Sequence, residues 1–349
     1  MGKSCILARS AVILLLAIIF ISGGIVGCSP TEETPESPRV LKVSHFMPAG
    51  TPYAIAYCDN LLDKITERSG GSIKFEVYPA GQLFGVENTL EMVGSGTADI
   101  GFTITAYHAG KLPLCTGLEL PFAYDTLQEQ VDKTHEALPF IVEELQKFNC
   151  TAIGVVASTF THIFTADKAV TKMEDLEGLI IRGPGGYSTM ALNCLGAATV
   201  SFPSSDIYIA LQKGTIDGVA ISTPSVVAYK LGELLHHATM AAYATHNGPI
   251  VFNLDTWSSL PEETQQIFIE AAYENAYETI VTLGGMEEQV IKDLQESYGM
   301  EVYELTLEER VRWKESTAEV WDQWLNDREA EGLGESAGQL IDILKRTMD

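Results

Sequence analysis

The spacing of apolar residues changes along the chain, and each change marks an element. Val40 to Phe46 (VLKVSHF) reads as a strand, followed by the loop MPAGTP. In the next stretch Ile55, Cys58, Leu62 and Ile65 recur on one helical face, with Gly70 as the stop. Ile73, Phe75 and Val77 then alternate with Lys74 and Glu76, the signature of a half-buried strand closed by Pro-Ala-Gly. A short helix is predicted from Glu87 to Val93, and ADIGFTI after it is a buried strand. LPLCTGLELPFAY is a loop-rich apolar passage, TLQEQVDKTHEALPFIVEELQKF is helical with an interruption near Pro139, and TAIGVVA is a strand.

HIFTAD begins a second set. LIIRGPGG is a strand running into a glycine-rich turn, GYSTMALNCLG a helix, ATVSF a strand and SSDIYIALQKG a helix with a serine cap. IDGVAI is again a strand, as is PIVFN. LPEETQQIFIEAAYENAYETIVTLGGMEEQVIKDLQESYG is one long helix or two abutting ones, opened by Pro261 and Glu262. LTLEERVRWKESTAEVWDQWLND and a tail helix close the chain. Strands alternate with helices, which predicts an α/β fold with parallel sheets and βαβ connections.

One phrase occurs twice. VGSGTADIGF (Val93 to Phe102) and ALQKGTIDGV (Ala210 to Val219) each stop an amphipathic helix at glycine and launch a buried strand after Asp99 or Asp217. Such punctuation is common in α/β proteins, so the echo carries little by itself. It fits two lobes built on one plan. The chain beyond residue 39 also exceeds one comfortable hydrophobic core.

The first residues do not belong to that fold. Lys3 and Arg9 precede the apolar run Ala11 to Ile21, and IVGC ends at Cys28. A basic, apolar, small-residue order is an export signal, and the run is short for a bilayer span. SPTEETPESPR (Ser29 to Arg39) has no large apolar residue to bury and reads as a tether. The formal net charge is −25, and removal of Lys3 and Arg9 with the leader takes it to about −27. Such a surface repels nucleic acid. Cys58, Cys115, Cys150 and Cys194 show no CxxC or zinc spacing. Outside the cytoplasm they can form a disulfide; each also sits in an apolar stretch that suits a buried free thiol.

The best candidate for chemistry is IRGPGG, Ile181 to Gly186. Arg182 ends an apolar strand, and the glycine-rich turn leads into a helix start. Helix N-termini and a guanidinium fork both suit an anion. A structural Arg paired with one of the 47 acidic residues is the equal alternative. There is no P-loop, no GxSxG elbow and no HExxH, so neither an enzyme nor a cofactor or metal is indicated. His236 and His237 are adjacent and diverge; the other histidines are isolated. Trp313, Trp321 and Trp324 suit helix packing.

Taken in order, HFMPAGTPY, YPAGQLFG, GTADIG, LELPF, MEDLEGLIIRGPG, LGAATVSFPSSDIYIALQKGTIDGV and LPEETQQ resemble one family, with Met173 to Val219 the most specific block. This is the extracytoplasmic solute-binding subunit of tripartite ATP-independent periplasmic (TRAP) transporters, the DctP-like family. IVGC likewise resembles a lipoprotein signal, which implies cleavage before Cys28 and acylation of its thiol. The resemblance implies a periplasmic-binding-protein type II-like fold, with two α/β lobes, a ligand cleft between them and long helices spanning both. The expected division is residues 1–27 leader, 28–39 tether, 40–159 plus 248–287 lobe I, and 160–247 plus 288–349 lobe II. It further implies binding of an organic acid through Arg182 and delivery to small and large integral membrane subunits, with uptake driven by an ion gradient. The protein would be held at the membrane surface through Cys28, in the periplasm or at the outer face of the cytoplasmic membrane.

The sequence departs from sialic-acid-type members of the family at three polar positions. A second Arg is His162 here, an Asn falls on Ile221 beside Ser222 and Thr223, and a polar residue is Ile104. These changes predict a small, fairly apolar monocarboxylate, such as a 2-oxo, 2-hydroxy or aromatic acid. Phe46, Phe102, Tyr107, Tyr187 and Phe202 are candidate walls, about half of them expected at the cleft and the rest in the core. His162 is either a ligand contact or a satisfied core histidine. An ABC-type solute receptor and a ligand-sensing subunit are the alternatives within binding proteins. An extracellular hydrolase would need a nucleophile–base pair that the sequence does not offer.

Overall fold

The computed structural model describes residues 37–202 and 204–346. The leader 1–27, Cys28 and the tether up to residue 36 lie outside the described residues. The first sheet takes its strands from both ends of a long excursion. In chain order the elements are β1 (Arg39–Ser44), α1 (Pro52–Ala54), α2 (Asn60–Arg68), β2 (Ile73–Tyr78), α3 (Thr89–Gly94), β3 (Ile100–Phe102), α4 (Leu127–Glu136), α5 (Leu138–Gln146) and β4 (Cys150–Ala157). A π-helical turn, Ile55–Asp59, joins α1 to α2. Thr51 caps α1 by accepting from the Ala54 N–H. Pro139 does separate two helices: it sits in the first turn of α5, where its missing N–H costs nothing.

The chain then crosses to a second sheet with β5 (Thr161–Thr165), β6 (Ile180–Gly183), α6 (Gly186–Cys194), β7 (Ala198–Ser201), α7 (Ile207–Gln212), β8 (Gly218–Ser222), α8 (Thr223–Ala228) and β9 (His237–Ala244). It returns to the first sheet with β10 (Asn247–Asn253) and α9 (Leu254–Ser258). The 37-residue α10 (Glu262–Tyr298), β11 (Glu301–Glu304), α11 (Leu307–Ser316), α12 (Ala318–Ala330) and α13 (Gly334–Lys345) follow. The strand orders are β2-β1-β3-β10-β4 and β11-β9-β5-β8-β6-β7.

Within each sheet a βαβαβ unit has the same order, β2-β1-β3 in one and β7-β6-β8 in the other, with parallel pairing. The repeated phrase occupies equivalent places in these units. The Asp99 N–H donates to the Lys42 carbonyl of β1 at 2.9 Å, and the Asp99 carboxylate accepts the Lys42 N–H at 2.8 Å. Asp217 does the same with Ile180 of β6, at 2.7 Å. Gly96 and Gly214 both take positive φ to end the preceding helix. The echo is therefore one strand-entry device used twice.

The sheets are mixed rather than parallel. β10 runs antiparallel to β3 and β4, and β5 antiparallel to β8 and β9. The cause is the double crossing: β4 leads straight into β5, and β9 into β10, so neighbours at the crossing run in opposite directions. Four elements were not predicted. β9 is rich in alanine, α8 and α9 are six and five residues long, and β11 is a four-residue strand at a sheet edge. Each gives too weak a period to register. The serine-capped helix also differs: Ser204–Asp206 form a 3-10 turn, and α7 starts after Asp206 without a side-chain cap.

α10 is one uninterrupted helix, and it serves both halves. Phe268, Ala271, Ala272 and Leu283 join the core beneath the first sheet, while Leu294 joins that of the second. The last helices also touch both halves. Asp327 of α12 accepts from Tyr187 of α6, and Trp324 Nε1 donates to Thr116 Oγ1 of the other half at 2.8 Å. Cys58, Cys115 and Cys150 are buried free thiols and Cys194 is a half-buried one.

Candidate functional site

The carboxyl ends of β1, β3, β6 and β8 lie where the chain crosses between sheets. Ligands of open α/β sheets bind at such edges, because loops there can approach without breaking the ladders. Arg182 is the penultimate residue of β6 and only 5 % exposed. Its Nε and one terminal nitrogen donate to the Phe202 carbonyl at 3.1 and 2.8 Å, and that terminal nitrogen also reaches Ser204 Oγ at 3.3 Å. The guanidinium carbon stands 5.9 Å from the Phe202 ring centroid.

No carboxylate pairs with Arg182 among the described residues. Burial pushes its pKa below the ordinary guanidinium value; its ionisable neighbours are the phenols of Tyr229, Tyr107 and Tyr243, which act in the opposite sense. Tyr107 belongs to the half carrying β3, so the two halves come together over this group. The turn after Arg182 needs its glycines. Gly185 and Gly186 have φ of 114° and 58°, and a Cβ on Gly183 would fall 2.3 Å from Thr189 Oγ1.

His162 is a buried histidine with both ring nitrogens engaged. Its Nε2 lies 2.8 Å from Glu287 Oε1 on α10, and its Nδ1 accepts the Ala242 N–H at 3.2 Å. That pattern places the proton of the neutral ring on Nε2. Thr223, fully buried, donates to the same Glu287 oxygen at 2.7 Å. His162 and Thr223 thus anchor the long helix to the second sheet, and neither keeps a free side-chain donor in this arrangement.

The remaining candidates divide. Ile221 is packed in the core of the second half and Phe102 in that of the first, where it meets His45 edge-on. Tyr187 points to α12, donating to Asp327 at 2.7 Å. Phe202 lies beside Arg182. Ile104 is half-buried at the start of the 3-10 turn Thr105–His108, which carries the exposed Tyr107. Phe46 is half-buried just past the end of β1. Of the predicted residues, Arg182 and Phe202 are in contact, while Phe46 follows the end of β1 and Ile104 and Tyr107 follow the end of β3.

Sequence reasoning missed several groups here. Tyr53 of α1 faces Ser222 and Ser225 at the start of α8, and burial raises its pKa. Tyr53 stacks on Tyr57 with ring centroids 6.0 Å apart. Tyr243 of β9 is fully buried and its hydroxyl has no hydrogen-bond partner. Thr159 and Thr161, on the β4–β5 crossing, also hold buried hydroxyls without partners. A local signal existed only for Tyr243, as the one aromatic residue in an alanine-rich stretch.

The chain matches the family described as bacterial extracellular solute-binding protein, family 7, over residues 43–327. A C4-dicarboxylate-binding periplasmic protein of Rhodobacter capsulatus is 25% identical over 291 residues, 82% of this chain and 86% of its own. A monocarboxylate 2-oxoacid-binding periplasmic protein of Nostoc sp. is 26% identical over 278 residues, 76% of this chain and 75% of its own. Among solved structures, a TRAP solute-binding protein from Rhodoferax ferrireducens with copurified benzoate superposes with a TM-score of 0.77 at 26% identity, covering 88% of this chain and 96% of that one. The two sheets joined by crossing strands, with a long helix serving both, are the periplasmic-binding-protein type II-like fold of these structures. The chain belongs to the family 7 bacterial extracellular solute-binding proteins, the solute-binding component of TRAP transporters.

Proposed function

We propose that this protein is the extracytoplasmic receptor for a small, fairly apolar monocarboxylate, which it delivers to a TRAP-type membrane permease for ion-gradient-driven uptake. One observation carries the reading: a buried guanidinium at a sheet edge between the two halves, without a carboxylate partner among the described residues. An unpaired buried cation is costly, and a ligand carboxylate offsets that cost with charge-assisted hydrogen bonds. One such cation suits one carboxylate. The neighbouring Phe202, Ile104 and Phe46 suit an apolar body. Relatives that bind benzoate and 2-oxo monocarboxylates support this class over the C4-dicarboxylates of another relative.

A thermal-shift screen of organic acids tests it. Benzoate or branched 2-oxo acids should raise Tm more than succinate or a sugar acid, and a preference for the latter two would overturn the ligand class. Arg182→Ala should weaken binding at least 100-fold while the protein stays folded, since a charged hydrogen-bonded pair is worth about 3 kcal/mol. Unchanged affinity would remove Arg182 from the site. Anchoring through Cys28 is part of the same proposal. Cys28→Ala should release the protein from membranes, and continued retention would point to an uncleaved leader.

A further inference from the structure

The carboxylate that Arg182 is proposed to hold needs more donors than Arg182 can give. Its Nε and one terminal nitrogen are already committed to the Phe202 carbonyl. The second hydrogen of that nitrogen reaches Ser204 Oγ at 3.3 Å, so what remains is the other terminal nitrogen with its two hydrogens, a fork at a single nitrogen. A carboxylate has about four acceptor directions, so two remain open after such a fork. In a site closed to water each would be a loss.

Tyr243 supplies the missing group. It is 0% exposed, and its hydroxyl is a buried polar atom with no partner among the described residues. Tyr243 lies in β9 just before the crossing into β10, and its own carbonyl accepts the Phe122 N–H at 2.8 Å. The backbone is thereby fixed from the opposite half. Register is irregular at this end of β9: Thr161 pairs Ala244 while Ile163 pairs Thr239, and Ala242 takes a φ of 44°. Three extra residues in the strand and a left-handed residue set Tyr243 apart from the regular alternation. Arg182 is the charge that acts on the Tyr243 phenol, and the phenol is one of the three that act on Arg182. A buried hydroxyl left without a partner destabilises the fold. β9 runs parallel to β6 and β8, so Tyr243, the penultimate residue of β9, and Arg182, the penultimate residue of β6, lie at the same edge of the second sheet.

We infer that the Tyr243 hydroxyl is a second donor to the ligand carboxylate, completing with Arg182 a two-residue grip that sets specificity for the carboxylate itself rather than for a substituent. This rests on the monocarboxylate reading above. The phenol donates to the carboxylate oxygen left free by the end-on guanidinium, and the rest of the acid extends toward Phe202 and Tyr107. A neutral amide of the same acid would lose the charge and place an N–H against one of the two donors, and be rejected.

The test is Tyr243→Phe in the full chain, with benzoate, 3-methyl-2-oxobutanoate and benzamide as probes in calorimetry, beside Tm of the ligand-free proteins. Ligand-free Tyr243→Phe should melt at or above the wild-type temperature, because an unpartnered hydroxyl has been removed. A clear fall in Tm would show a structural partner and overturn the proposal. Both acids should then lose affinity by a similar factor, about 10- to 100-fold, with benzamide bound by neither protein. Loss confined to the 2-oxo acid would assign the hydroxyl to the substituent and overturn the carboxylate role, as would unchanged affinity for both. If wild type binds neither acid, the monocarboxylate reading fails and this inference falls with it. Binding by wild type with no effect of the substitution sinks the inference alone.

Discussion

Glu144 shows how far one buried residue can be from its ordinary behaviour. It is 1% exposed on α5, and its two oxygens accept the N–H groups of Leu114 and Cys115 at 2.7 and 3.1 Å. Burial pushes its pKa up to about 7, against the pull of those two backbone donors. The folded protein therefore holds this proton more tightly than the unfolded chain does. The stabilisation is complete at low pH, below the ordinary carboxyl range, and is lost as pH rises through about 7. Glu144→Gln removes the titration and turns one amide N–H toward a backbone donor, a loss of about 1–3 kcal/mol. In urea unfolding the variant should trail wild type at pH 5.5, and the gap should narrow by pH 8. A gap independent of pH would mean that Glu144 does not titrate in this range. Glu287 matters through its hydrogen bonds. Glu287→Ala strands His162 Nε2 and Thr223 Oγ1, and should lower stability by about 2–3 kcal/mol, read by the same method.

At the scale of elements, the telling contacts are those that fasten helices far apart in sequence. Lys133 of α4 is buried, and its ammonium donates to the Leu344 carbonyl at 2.5 Å and the Ala123 carbonyl at 3.3 Å, beside Glu129 at 2.5 Å. A cation on the last-turn carbonyls of α13 meets both their unpaired acceptors and the negative end of the helix. Lys133→Met leaves Glu129 and those carbonyls without their donor and should cost about 3 kcal/mol. Hydrogen exchange should quicken first in α13. Unaltered protection there would mean that the helix is held by its apolar face, through Leu340 and Leu344, alone. Elements with a strong period were legible in advance: α2, β2, α4, α5 and α10 all follow their apolar spacing. β9 and β11 were not, because an alanine-rich strand and a four-residue edge strand have little amphipathic contrast.

For the whole molecule, the proposed capture of a ligand would move the halves about the crossing strands while α10 remains continuous. Tyr53 against Ser222 and Ser225, and Tyr107 within reach of the Arg182 charge, are contacts that depend on that relative position. A ligand bridging Arg182 and the Tyr107 side favours the closed arrangement by its differential affinity. Small-angle scattering should therefore give a smaller radius of gyration with saturating benzoate than without. An unchanged radius would mean that the ligand enters a cleft that is already shut. The chain's net charge of −25 sets this buried cation apart: the proposed partner of the anion is an interior arginine rather than a basic exterior.

The sequence by itself determined the alternation of strands and helices, the twofold use of the Gly-Thr-x-Asp device and the position of Arg182 at the end of an apolar strand. These are local properties: periodicity, glycine geometry, and a cation at the end of an apolar strand. Only the tertiary structure decided that the sheets are mixed, since strand direction at a crossing depends on which half the chain has just left. It also decided the roles of His162 and Thr223, whose partner Glu287 lies on a helix 125 residues beyond His162. The fate of Tyr243 was likewise invisible in one dimension. A hydroxyl becomes significant when folding buries it beside a charge and leaves it nothing to bond, and no spacing along the chain records that.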